Sequence, residues 1–221
     1  MNSNTERQPI DWKRLLFPLI LIAVVILLDQ YFKYWVKMNM TNNPVIPIAG
    51  DWFKLNFTEN NGMAFGLEIP GLYGKLFLTS FRIIFVILGF VYLLKQSVKA
   101  HKTGFLVCVA LIIAGALGNI IDSVFYGVWF KDINYYDGGY FYGMVVDMLH
   151  FPLFGGTFPS WLPMIGGDDF VFFSPIFNIA DVAISTGVIS IFVFQKRYFP
   201  HIEKVQEDEI PDPIILSSEE E

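Results

Sequence analysis

Asp147 and Asp181 stand in the runs "VVDMLHF" and "FNIADVAI", carboxylates set in apolar sequence where a charge is hard to keep. An ionisable side chain inside a membrane span marks a functional or paired site by default. If the chain returns on itself after "VVD", Asp147 can face the head of the run that carries Asp181. Two carboxylates held close in a poorly solvated pocket cannot both ionise easily, so one proton is retained between them. Such a pair offers a base and an acid at once. The ionised Asp takes a proton from water while the protonated Asp polarises a peptide carbonyl. Collapse of the tetrahedral species then releases the amine. This chemistry calls for no metal and no cofactor.

Three further clusters interrupt the apolar background: "DQYFK", "ENNGMAFG" and "GALGNIID". Asp29 and Lys33 are four residues apart, the spacing of an i,i+4 ion pair on one helical face, and Asp29 can also shape the site. Asn119 and Asp122 are three apart, and Gly115 and Gly118 thin the helix just before them, so the pair reads as a bracket between closely packed helices. Asn178 shares a helical face with Asp181, extended by Ser174 and Ser185. Other chemistries fit less well. His150 with Asp168 and Asp169 lacks an HExxH or paired-His pattern, Ser174 and Ser185 lack a G-x-S-x-G setting, and "GLYGK" is too short for a P-loop. The one cysteine, Cys108, reads as a buried side chain within an apolar run.

The elements that must position these groups are membrane helices. Of 221 residues, 54% are hydrophobic, 17% aromatic and 16% charged. Four stretches approach the roughly 20 residues that span a hydrocarbon core, near 15–35, 76–95, 104–126 and 175–195. The acidity of the chain is local: the last nineteen residues hold eight acids and one Lys, a net −7 against −6 for the whole. Residues 1–202 therefore read as one integral membrane domain and 203–221 as a solvated acidic tail. Basic residues orient the spans. Arg7, Lys13 and Arg14 precede the first, Lys95, Lys99 and Lys102 lie between the second and third, and Lys196, Arg197 and Lys204 follow the fourth. Both termini are expected in the cytoplasm. The first span has no small-x-small cleavage site after it and should be retained.

Both outer segments are more than linkers. "VIPI", "WFKLNF" and "MAFGLEI" are β-prone runs broken by Gly, Asn and Pro, which predicts a small sheet on the membrane surface. The segment from Gly127 to Ser174 is rich in Tyr, Trp, Phe and Gly, fitting a belt at the lipid headgroups or a lid over substrate.

These five clusters, in this order along four spans, closely resemble the lipoprotein signal peptidases, the signal peptidase II family of bacterial membrane aspartyl proteases. The resemblance covers about Asp29 to Gly187. It implies a four-helix membrane protein with a small extracytoplasmic β-cradle and an interfacial loop or helix. It further implies Asp147 and Asp181 as the catalytic pair, and Asp29, Lys33, Asn60, Gly62, Asn119, Asp122, Asn178 and Ala180 as residues that line or brace the site. The expected substrate is a diacylglyceryl-modified prolipoprotein, cut just before its lipidated cysteine. The expected setting is the bacterial inner membrane, with the active site toward its outer face. Globomycin-type cyclic peptides are the implied inhibitors, membrane lipid the surrounding partner, and a monomer without nucleic acid the expected state.

Two features depart from the family. Its members usually carry Arg after the Asp of the third-span motif, where Ser123 stands here. Twenty-five residues separate Asp122 from Asp147 and thirty-four separate Asp147 from Asp181, longer than the family's usual spacing because of insertions around 127–144 and 152–172. The rival readings are an ion-coupled carrier, disfavoured by the lack of an internal repeat, and a scaffold that uses its polar groups only to join helices.

Overall fold

Three helices carry the longest apolar runs, and each exceeds what a bilayer core demands. α1 (Trp12–Asn39), α2 (Leu72–Val98) and α3 (Thr103–Trp129) have 28, 27 and 27 residues. At about 1.5 Å per residue they reach roughly 40 Å, against a core of about 30 Å. All three are long and apolar enough to cross a membrane. In the computed structural model, which describes residues 10–61, 72–98 and 103–199, the remaining elements are β1 (Val45–Ala49), β2 (Phe53–Asn60), β3 (Val145–His150), β4 (Phe154–Thr157), β5 (Asp169–Phe172), β6 (Ile176–Phe177), α4 (Ile179–Val193) and α5 (Gln195–Tyr198). The acidic tail, 203–221, lies outside the described residues, as does the "MAFGLEI" run expected to form a strand.

Side chains are distributed as in a protein whose solvent is lipid. Leu16, Phe17, Ile20, Val24 and Leu27 of α1 and Phe77, Phe81, Ile84, Phe85 and Leu88 of α2 point outward, while Asp29, Lys33, Asn119 and Asp122 are buried. α3 is the central helix and meets α1, α2 and α4. One end of the bundle is tied by an Arg14 Nη1 bond to the Ser97 carbonyl (3.2 Å), joining the start of α1 to the end of α2. At the same end, Tyr198 of α5 reaches Cys108 of α3. Cys108 is buried there among apolar neighbours.

The opposite end is capped by an antiparallel sheet of order β1-β2-β3-β6. Thr58 pairs with Asp147, and Leu149 with Phe177. The sheet was expected from the first outer segment alone, yet half its strands come from the second. The cause is alternation. Val146 and Met148 turn into a core with Val36, Met40, Tyr126 and Phe130, and residue 147 therefore takes the other face. β4 and β5 form a separate hairpin in which Phe154 stacks on Phe172 with centroids 4.7 Å apart. Among the described residues the outer segments hold strands and turns, so the expected interfacial helix does not appear there.

The fourth expected span also starts differently. Helix was expected from residue 175, but Ile176 and Phe177 extend the sheet as β6, and α4 begins at Ile179. Ser174 is consequently off the helix, and Asn178 is its N-cap instead of part of its face. The open edge of β3 captures the apolar dipeptide, and an Asn that can bond its own downstream N–H groups ends the strand.

α4 approaches α3 closely because α3 is glycine there. A Cβ on Gly115 would overlap the Ala180 carbonyl oxygen and lie 2.7 Å from Ile184 Cγ1; one on Gly118 would lie 2.6 Å from Asp29 Oδ2. Gly115→Ala should therefore push the head of α4 off α3. An overpacking penalty of about 1–3 kcal/mol is expected, read as a lower Tm in detergent together with reduced activity. Unchanged Tm and activity would show that this close approach is unimportant.

Candidate active site

At the head of α4, the Asn178 backbone is extended (φ −124°, ψ −179°), which leaves its side chain free to cap. Asn178 Oδ1 accepts the Asp181 N–H at 3.0 Å, and Asp181 Oδ2 accepts the Asn178 N–H at 3.2 Å, a reciprocal capping box. Asp181 thus sits in the first helical turn with one carboxylate oxygen already fixed. Its other oxygen, Oδ1, accepts Asn119 Nδ2 from α3 at 2.9 Å.

Asp147 is held in the same manner from another direction. Its Oδ1 accepts Asn178 Nδ2 at 2.7 Å, and its Oδ2 accepts Asn60 Nδ2 from β2 at 3.1 Å. Every oxygen of the two carboxylates therefore receives an N–H, and one residue, Asn178, serves both. Asn178 Nδ2 also approaches Asn119 Oδ1 and the Val146 carbonyl. This mesh leaves the Asn178 amide a single sensible orientation, oxygen toward the helix and nitrogen toward the strand. Burial, and next the charge of Asp181, push the Asp147 carboxyl up to about 7.

Behind this pair lies a charged clamp. Lys33 Nζ is 2.8 Å from Asp29 Oδ2, 2.7 Å from Asp122 Oδ2 and 2.9 Å from Asn119 Oδ1, which occupies all three of its N–H donors. Each acid of the clamp also grips a backbone. Asp29 Oδ1 accepts the Ala180 N–H at 2.9 Å, and Asp122 Oδ2 accepts the Val146 N–H at 3.3 Å. Ala180 and Val146 are the residues immediately before Asp181 and Asp147. The clamp therefore sets both carboxylates through the chain on which they ride.

The i,i+4 pair of Asp29 and Lys33 forms as its spacing predicts, and Asn119 and Asp122 bracket helices as expected. Asn60, Asn178 and Ala180 come to the same locus; Gly62 lies outside the described residues. Three contributions were not anticipated from the sequence. Gln30 Nε2 bonds Asp122 Oδ1 at 2.8 Å and Gln30 Oε1 accepts the Tyr126 hydroxyl at 3.1 Å, closing the clamp on its outer side. Arg82 of α2 faces the same carboxylates. Gln30 sits within "DQYFK" and could have been found by asking what satisfies a buried acid; Arg82 is an isolated charge in an apolar run. A third missed contact pairs buried Lys37 with Glu59 amid the rings of Phe57, Phe130 and Tyr136, fastening α1 to β2. Among the described residues, no three His, Cys, Asp or Glu gather as metal ligands would. Ser123 donates to the Asn119 carbonyl of its own helix at 2.9 Å and supplies no charge.

Two carboxylates with fixed oxygens, one of them inclined to keep a proton at neutral pH, can activate water against a carbonyl. Comparison with known proteins gives the family. The model of the family described as Signal peptidase (SPase) II matches residues 21–196. A lipoprotein signal peptidase of Porphyromonas gingivalis is 48% identical over 190 residues, covering 80% of this chain and 81% of the relative. Another from Amoebophilus asiaticus is 37% identical over 215 residues, covering 95% and 89% respectively. Among solved structures, one bacterial membrane enzyme shares the fold with a TM-score of 0.56 at 23% identity, covering 89% of this chain and 94% of its own. A second gives a TM-score of 0.52 at 26% identity over 80% and 90%. With a family model spanning most of its length and relatives this similar, the chain belongs to the signal peptidase II family, a family of membrane proteases.

Proposed function

We propose that the chain removes signal peptides from diacylglyceryl-modified prolipoproteins, cutting before the lipidated cysteine, with Asp147 and Asp181 as the catalytic pair. The observation that carries this reading is the sharing of Asn178 between the two carboxylates. A scaffold needs its acids paired with a cation, as Asp29 and Asp122 share Lys33; among the described residues, the hydrogen bonds given to Asp147 and Asp181 come from amide groups. A carrier that moves ions through its carboxylates needs a path, whereas the clamp locks these groups in place.

In this mechanism Asp181 is the base. Its place in the first turn of α4 exposes it to the positive end of the helix dipole. Asp147, raised to about 7, keeps its proton and hydrogen-bonds the scissile carbonyl oxygen. Asp181 takes a proton from water as the hydroxide attacks the carbonyl carbon, and Asp147 passes its proton to the carbonyl oxygen. The tetrahedral species breaks its C–N bond, and the proton on Asp181 passes to the departing amine of the lipidated cysteine. Asp147 recovers its proton as the new carboxyl forms.

The depth of the pair suits that substrate. Asp29 lies ten residues before the end of α1, about 15 Å below its outer tip, so acyl chains can stay in the leaflet while the peptide bond reaches the carboxylates. We also place α4 and α5 together as a fourth crossing, Ile179–Tyr198, twenty residues or about 30 Å, with both termini cytoplasmic. Globomycin-type peptides are the inhibitors expected to fill the same pocket.

Asp147→Asn and Asp181→Asn should each lower cleavage of a diacylglyceryl-modified prolipoprotein by about 10²–10⁴-fold while the purified proteins keep their Tm; an unlipidated substrate should resist the wild type. Wild-type rates in either variant would remove the pair from the mechanism. The pH dependence should be a bell whose alkaline limb falls near pH 7, because the acid form of Asp147 is present below about 7 and lost above it. A rate that rises steadily through pH 7–9 would contradict Asp147 as the acid.

A further inference from the structure

Arg82 places a guanidinium within a membrane helix, and neither the clamp nor the capping box uses it. It is the one charge between Lys75 and Lys95 in α2. A lone cation in a span faces protein or water and has a role there. Thr79, three residues before it, and Val86, four after, are buried at 1% and 5% exposure, while Phe81, Ile84 and Phe85 look out to lipid. Arg82 is therefore on the stripe of α2 that faces the bundle, and its Nη1 is buried. It stands ten residues from the outer end of α2, about 15 Å down. Asp29 has the same depth in α1.

The acids that attract it are Asp181, then Asp122 and Asp147. Three lysines also stand near the site. Lys33 spends its donors on Asp29, Asp122 and Asn119; Lys37 is paired with Glu59; Lys75 bonds Asn61 and the Tyr142 carbonyl. With one proton on the pair, Asp29, Asp122 and the remaining carboxylate are three negative charges, of which Lys33 balances one. Attack by water moves the negative charge from Asp181 toward the carbonyl oxygen and Asp147 without changing that total.

We propose that Arg82 is an electrostatic positioning residue for the cleavage reaction: from α2 it lowers the negative potential around Asp147 and Asp181 and so sustains one ionised carboxylate during water attack. A guanidinium suits this task because it stays charged in a dry site and holds its direction through a planar fork. This inference rests on the assignment of Asp147 and Asp181 as the catalytic pair. The charged and polar groups acting on Asp147 are Asp181 and Asn178 at the head of α4, Lys33 from α1, Asn60 from β2 and Arg82 from α2. Among them Arg82 can be neutralised without cutting a bond of the clamp.

The experiment is the pH profile of kcat and KM for full-length Arg82→Gln and Arg82→Lys on a diacylglyceryl-modified prolipoprotein in detergent, with Asp147→Asn beside them. Loss of an attracting cation raises a carboxylate's pKa, so the alkaline limb of Arg82→Gln should move up by about 0.5–1 pH unit. Its kcat should drop about tenfold or more, a loss within the range attributed to single electrostatic groups, with KM little changed. Arg82→Lys should return the limb to the wild-type position. A folded Arg82→Gln protein whose limb does not move overturns the proposal, as does a loss confined to KM. If Arg82→Gln does not insert, Arg82→Lys decides: an unmoved limb with kcat within about threefold of wild type supports the role of charge, and a collapse of kcat at unchanged Tm overturns it. Full activity in Asp147→Asn would instead defeat the catalytic pair itself.

Discussion

Lys33 holds the site together because it cannot be buried alone. An ammonium deep among helices requires compensation on every N–H, and Asp29, Asp122 and Asn119 supply it at 2.7–2.9 Å. Removing one partner from such a buried group is expected to lose about 3–5 kcal/mol, since the opposite charge is left without an answer. That penalty makes the arrangement of α1 and α3 all but obligatory. The two acids then use their remaining lone pairs on Ala180 and Val146. Each of those N–H groups belongs to the residue just before a proposed catalytic Asp. The charge network is therefore a jig: it fixes the strand and the helix whose next side chains are the proposed catalytic pair.

The jig also explains why an enzyme of this class builds a sheet at all. A carboxylate placed on a membrane helix can be aimed from one direction only, along that helix's inner stripe. β3 brings the second carboxylate from above, and its register makes Asp147 face the opposite way from Val146 and Met148, which seal the core beneath. Open strand edges are not tolerated in lipid, so the sheet must lie at one end of the bundle, beyond the hydrocarbon. Lys37 and Glu59 hold it there by joining α1 to β2. Site depth is thus a compromise between a helix-borne acid and a sheet-borne one, and it falls where the peptide bond of a lipid-anchored chain would arrive.

Much of this was legible in the sequence wherever one element carried the whole relation. The i,i+4 spacing of Asp29 and Lys33, the Gly115 and Gly118 thinning of α3, and three apolar runs of spanning length are local facts. Relations between distant segments were not legible. "SPIFNIADVAIS" reads as uninterrupted helix because Ile176 and Phe177 are apolar. Only the free edge of β3, more than twenty residues upstream, makes them a strand and turns Asn178 into a cap. Gln30 looked like a neighbour of Asp29 and proved to bridge Asp122 and Tyr126. Arg82 has no motif because its meaning lies in acids on two other helices and a strand.

The capping box has a consequence for how the pair keeps its two members distinct. Asp181 bonds the backbone of its own helix cap, so its carboxylate and the start of α4 move as one body. Asp147 is held by two side-chain amides, Asn178, which is itself fixed by the cap it makes, and Asn60 from the sheet. In the proposed mechanism both carboxylates gain and lose a proton in each turnover, so both need partners that tolerate either form. An amide N–H can donate to a carboxylate or to the carbonyl oxygen of a carboxylic acid, so Asn60 and Asn178 accommodate Asp147 in either state. The proposed base and acid are thereby carried on different elements, a helix terminus and a strand.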